Sequence, residues 1–155
     1  MPVAVGHILF VCTGNTGRSV AAKAFARRAI AARGLSVTVC SRGVAVDPAN
    51  VRPEPHLAML LAVYGMDLSG HCAAVLTADD VRAADCILVM TAAHKRSVLG
   101  RFPDAGGKVW MLSEVAHGTE ADVEDAFGSP ICVYERLVEQ LDTMVASALD
   151  ALNMA

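Results

Sequence analysis

HILFVCTGNTGRSV, residues 7–20, changes character halfway along. His7 to Cys12 form a short run of β-favouring apolar residues, the pattern of a buried strand. The next five residues, Thr13 to Gly17, include two glycines and fill little space. A helical pattern then begins, with apolar Ala22, Phe25, Ala26 and Ala29 on one side and a stop at Gly34. A strand that passes into a helix through a small-residue turn is the first unit of a parallel α/β sheet.

That position gives the turn a chemistry. Cys12 ends the strand on the edge where open α/β sheets bind ligands, and the loop Thr13–Arg18 leads into a helix N-terminus whose free N–H groups attract anions. Glycine allows backbone amides to turn toward a bound oxyanion, and the Arg18 guanidinium offers a planar fork to two of its oxygens. The same positive field favours the thiolate of Cys12, the nucleophilic form of a cysteine, and Ser19 is placed to donate a hydrogen bond to the sulfur. A cysteine followed six residues later by arginine occurs by chance in about a third of shuffled chains of this composition. The signal therefore lies in the placement between strand and helix. The G-x-G-x-x-G dinucleotide spacing is absent, and no Gly-Lys-Ser/Thr of a nucleotide loop follows.

The same alternation continues along the chain. LSVTVCS (35–41) reads as a second strand, Glu54–Tyr64 as a helix ending at Gly65, and TADDVRAA as a short helix with Thr77 and Asp80 as a capping box. DCILVMT (85–91) is the third strand and AAHKRSVLGRF (92–102) the next helix. KVWML, Lys108 to Leu112, is a fourth strand short enough for a sheet edge. Apolar Tyr134, Leu137, Val138, Leu141, Met144, Val145, Ala148 and Leu152 repeat with the period of a long amphipathic helix. These elements predict an α/β fold: an open, doubly wound four-stranded parallel sheet, helices on both faces, a phosphate-binding loop after the first strand, and one domain over residues 1–155.

Composition narrows the function. The 155 residues are 54% hydrophobic and carry a formal net charge of −3, with no basic cluster beyond Arg27 and Arg28, which read as a solvated helix face. This argues against a nucleic-acid partner. Cys12, Cys40, Cys72, Cys86 and Cys132 form an odd set without metal-site spacing, and a reducing cytoplasm is the expected location. No apolar stretch reaches the length of a membrane span, and the apolar start lacks the basic region of a leader. The five histidines, His7, His56, His71, His94 and His117, show no ligand spacing and read as surface or core residues. No metal and no cofactor is expected.

Val11-Cys12-Thr13-Gly14-Asn15-Thr16-Gly17-Arg18-Ser19 resembles the signature V-C-x-G-N-x-C-R-S of the low-molecular-weight cysteine-dependent protein phosphatases. The resemblance extends through SRG (41–43), LLAVYGMDLSGH (60–71), ADCILVMTAAHK (84–95) and above all DVEDAFG (122–128). It implies that Cys12 attacks phosphorus to form a thiophosphoryl enzyme and that Arg18, with the amides of Thr13, Gly14, Asn15, Thr16 and Gly17, holds the transition state. By the same resemblance Ser19 steadies the sulfur, Asn15 holds the loop's strained turn, Asp125 is the general acid and Phe127 forms a pocket wall. Asp122 and Glu124 are competing carboxylates. The partner implied is a phosphorylated protein, with inorganic phosphate as product.

Three residues depart from the family pattern. Ala126 follows the acid where proline is usual, Gly17 replaces a second cysteine that can pair with the nucleophile, and Arg42 replaces the common alanine of SRG. Cys40, near the end of the second strand, is a candidate substitute for the missing thiol. Thr16 and the lone Phe127, where tyrosine phosphatases usually carry a bulky apolar residue and two aromatics, resemble the bacterial branch that hydrolyses phosphoarginine. Phosphotyrosine is the second reading. An arsenate reductase of the same fold, relaying through Cys72 and Cys86, and a non-catalytic phosphate-binding module are the remaining alternatives.

Overall fold

The computed structural model describes residues 5–152, so the domain expectation for 1–155 and the reading of Met1–Ala4 extend outside the described residues. Four parallel strands, β1 (His7–Cys12), β2 (Thr38–Gly43), β3 (Cys86–Val89) and β4 (Val109–Met111), lie in the order β2-β1-β3-β4. The fourth strand is at an edge, as its length predicts. β1 sits centrally because its residues are apolar on both faces. Ile8, Phe10 and Cys12 enter one core cluster, while Leu9 and Val11 enter the other.

The first cluster lies under α1 (Arg18–Arg33), α2 (Pro55–Val63), α5 (Leu112–His117) and α6 (Ile131–Ala151). The second lies under α3 (Ala78–Ala83) and α4 (Ala92–Arg101), with a 3-10 turn at Pro103–Ala105. The sheet is thus covered on both faces. α1 ends as expected at Gly34, which takes the left-handed conformation at φ +67°. Thr77 and Asp80 form the anticipated capping box of α3.

Some boundaries differ. β2 starts at Thr38 and runs on to Gly43, because Leu35 closes the end of α1 through its amide to the Ile30 carbonyl. β3 is shorter than DCILVMT, since Thr91 caps α4 instead of extending the strand. α6 begins at Ile131, behind Pro130. The helix α5 takes Leu112 from the expected fourth strand and lies where no helix is predicted. It has six residues, and packing of Leu112 and Val115 on the core holds it more than local propensity does. Arg27 and Arg28 are exposed on α1, as a solvated helix face predicts, and each also has a partner. Arg27 donates to the Val39 carbonyl, and Arg28 pairs with Asp142 at 3.0 Å beneath the rings of Phe25 and Tyr64.

β1 and β3 are neighbours whose following helices, α1 and α4, cover opposite faces. Their carboxyl ends therefore open a crevice, the usual ligand position in such sheets.

Candidate active site

The loop Thr13–Gly17 occupies that crevice. Its turn is made at Asn15, the one non-glycine residue with positive φ (+56°) among the described residues, and fully buried. Asparagine tolerates this conformation, and both ends of its side-chain amide are hydrogen-bonded here. Oδ1 accepts the Ala74 amide at 3.0 Å, which fixes Nδ2 as the donor to Ser19 Oγ at 2.9 Å. With an Ser19 lone pair so occupied, its hydroxyl hydrogen is available to Cys12 Sγ, 2.9 Å away. A sulfur that receives a hydrogen bond is suited to carry negative charge.

Two histidines hold the loop from outside. His71 Nε2 lies 2.7 Å from the Asn15 carbonyl oxygen, and His94 Nε2 lies 2.8 Å from Thr13 Oγ1. Burial first, and then the Arg18 guanidinium, push the His94 pKa down to about 4, so the ring is neutral at pH 7. Sequence reading assigned both rings to surface or core. They lie 56 and 81 residues from their loop partners, and no local pattern signals either contact.

Gly43 marks the end of β2 beside the loop. A Cβ there would sit 2.5 Å from the Thr13 carbonyl oxygen and 3.1 Å from the Asn15 nitrogen, so only glycine permits this approach. Within the loop, the amides of residues 14–17 donate no hydrogen bond to the protein among the described residues. Four adjacent free N–H groups beside a helix start and a guanidinium form a cradle for a tetrahedral oxyanion.

Arg18, 7% exposed, is the first residue of α1 and reaches across the crevice. Its Nη1 donates to the Val123 carbonyl at 2.9 Å and its Nη2 lies 3.7 Å from Asp125 Oδ2. Val123 in turn donates its amide to the carbonyl of Met90, just beyond β3. The segment bearing Asp125 is therefore tied to the sheet and to Arg18. Asp125 Oδ1 also accepts the Phe127 amide at 3.0 Å, leaving the carboxylate exposed at the mouth of the crevice. Ala126, where the family usually has proline, is buried at 2% exposure and anchors this turn in the core.

Cys12, Thr16, Arg18, Asp125 and Phe127 line one cleft of about 280 Å³. Phe127 is 70% exposed and stands at the cleft, outside the core. Asp122 and Glu124 do not line this cleft. Asp122 accepts the Ala92 amide at the start of α4, a capping role. Residues not singled out from sequence also line it, notably Asp47, Glu54 and Tyr134. Glu54 caps α2 through the Leu57 amide and bonds to the Tyr134 hydroxyl, which the Gly128 amide also contacts.

The remaining thiols stand apart. Cys40 pairs with Leu9 in the β1–β2 register and packs on the second cluster, three residues from the position opposite Cys12 and on the other face of the sheet. That offset is about 10 Å along the strand, beyond disulfide reach, so the expectation of Cys40 as a substitute thiol is corrected. Cys86 is fully buried in β3, and burial pushes its thiol pKa up to about 12. It is therefore a poor relay for arsenate chemistry. Arg42 turns away from any substrate role: Nε pairs with Asp80 at 3.0 Å and Nη1 donates to the Ser41 carbonyl.

The model of the low molecular weight phosphotyrosine protein phosphatases matches residues 7–155. The chain is 36% identical over 138 residues to a protein-arginine-phosphatase of Bacillus subtilis, covering 89% of this chain and 91% of the relative. It is 34% identical over 136 residues to the low molecular weight protein-tyrosine-phosphatase PtpB of Staphylococcus haemolyticus, covering 87% and 91%. The YwlE arginine phosphatase of Geobacillus stearothermophilus superposes with a TM-score of 0.87 at 33% identity, covering 96% of this chain and 94% of that one. With a match over nearly its whole length and the fold shared, the chain belongs to the low molecular weight phosphotyrosine protein phosphatase family, and it is a protein phosphatase.

Proposed function

We propose that this protein removes phosphate from phosphoarginine in proteins, with Cys12 as nucleophile, Arg18 and the loop amides as the transition-state cradle, and Asp125 as acid and then base. The Cys12 thiolate attacks phosphorus while the P–N bond to the arginine side chain breaks. Asp125 gives its proton to the departing nitrogen, so that the arginine leaves as a neutral guanidine instead of a costly anion. Asp125, now a carboxylate, takes a proton from water as the water oxygen attacks the phosphocysteine. The S–P bond breaks, orthophosphate is released and the thiolate returns. Ser19, hydrogen-bonded to the sulfur, stabilises the thiolate in both steps.

The observation that carries the substrate reading is Thr16 in the wall of the cleft, with the Asp125 carboxylate among the same lining residues. A guanidinium is planar and polar, gains from a small hydroxyl-bearing neighbour and pairs with a carboxylate. Two relatives, 36% and 35% identical, are protein-arginine-phosphatases, which supports the same choice. Phe127 and Tyr134 in the lining favour phosphotyrosine as the second reading. A cytoplasmic setting suits five cysteines that are all unpaired.

The test is kcat/KM for a phosphoarginine and a phosphotyrosine peptide on the parent and on Thr16→Ile. The parent should prefer phosphoarginine, and the exchange should shift the ratio toward phosphotyrosine by about 10–200-fold, the usual worth of such a pocket change. A parent that prefers phosphotyrosine, or a ratio that does not move, transfers the assignment to phosphotyrosine.

A further inference from the structure

A second cavity, of about 530 Å³, lies between α1 and residues 65–71 and shares no lining residue with the catalytic cleft. Lys23 and Arg27, one turn apart on α1, line it together with Arg28 and His71. Lys23 Nζ is 3.1 Å from His71 Nδ1, and His71 Nε2 is the atom at the Asn15 carbonyl. A carbonyl only accepts, so Nε2 carries the ring hydrogen and Nδ1 accepts from the lysine ammonium. A neutral imidazole thus connects a cation to the strained turn of the phosphate loop.

The charge that lines the cavity is mostly positive. Among the described residues neither Lys23 nor Arg27 meets a carboxylate: Lys23 has the His71 ring, and Arg27 the carbonyl of Val39. Arg28 is already paired with Asp142. The one carboxylate in the lining, Asp67, directs both oxygens to Ser69, one to its amide and one to its hydroxyl. Burial, and then Arg27, hold the Lys23 ammonium below the ordinary amine range. A half-buried lysine and a neighbouring arginine that line a cavity and touch no carboxylate are stabilised by an anion entering it.

We infer that this cavity is a second site for orthophosphate, held by Lys23 and Arg27 and communicated to the phosphate loop through His71. An anion there draws the lysine ammonium off Nδ1 and so changes the ring that holds Asn15. By linkage, occupancy of the cavity and of the cleft alter each other's affinity by the same factor.

Calorimetric titration of the protein with sodium phosphate at constant ionic strength should show two binding events. Lys23→Gln/Arg27→Gln should lose the cavity event, with affinity there down by about tenfold or more, and keep the cleft event. In Arg18→Ala, where the cleft is crippled, phosphate should still shift the ring ¹⁵N resonances of His71, and adding the two cavity substitutions should abolish that shift. Thermal melts check that each variant folds. A single event in the parent, a second event that survives Lys23→Gln/Arg27→Gln, or a His71 ring that does not respond overturns the inference.

Discussion

Cys12 sits in an arrangement in which every neighbour limits the freedom of the next. Ser19 faces the sulfur, Asn15 holds Ser19, and the Ala74 amide holds Asn15. Replacing Asp125 with Asn should slow substrates with poor leaving groups by ~10²–10⁴ and those with good ones far less, since only the former need a proton at departure. Leaving-group dependence measured with a series of aryl phosphates checks this, and an equal loss across the series would move the acid role elsewhere. Gly17 supports a second prediction. A Cβ there meets nothing within 4 Å, so the loop has room for the side chain of Gly17→Cys. Peroxide should inactivate the parent beyond recovery by thiols, because Cys40 lies out of reach, whereas Gly17→Cys should regain activity on reduction. Mass spectrometry that found a Cys12–Cys40 disulfide in the parent would contradict this.

Among the elements, the strand-to-helix unit His7–Arg33 was the most legible. Its apolar run, small-residue turn and Gly34 stop each follow from local physics that the structure leaves in force. α5 was not legible, because six residues without a Ser or Thr cap depend on a core formed by α6. The contacts of His71 and His94 were hidden for a related reason: they join residues distant in sequence whose meeting only the sheet order determines. Gly43 shows how an element end shapes the site. Gly43→Ala should cost about 1–3 kcal/mol of stability by overpacking. It should also lower kcat, since the added methyl meets Thr13 and the amide of Asn15. Urea unfolding together with initial rates tests both, and a variant with unchanged activity would show that the loop tolerates displacement.

At the scale of the whole molecule, the buried His94 links stability to acidity. Its folded pKa of about 4 lies below the ordinary histidine value of about 6.5, so the unfolded chain takes up a proton that the folded one refuses. Its contribution is present in full above pH ~6.5 and is lost progressively as the pH falls toward 4. The melting temperature should decline across that window, and His94→Asn should flatten the decline; an identical slope in the variant would remove His94 as the cause. The sheet order brings β1 with its loop and the segment after β3 to one crevice, and there Cys12, Arg18 and Asp125 meet across more than a hundred residues of chain. Acid-quenched mass spectrometry of Asp125→Asn during turnover of p-nitrophenyl phosphate tests that meeting most directly. The good leaving group departs without the acid, while hydrolysis of the intermediate lacks its base, so phosphate should accumulate on Cys12 and be absent in Cys12→Ala/Asp125→Asn. Phosphate on any other residue, or turnover by the Cys12→Ala protein, would contradict Cys12 as the nucleophile.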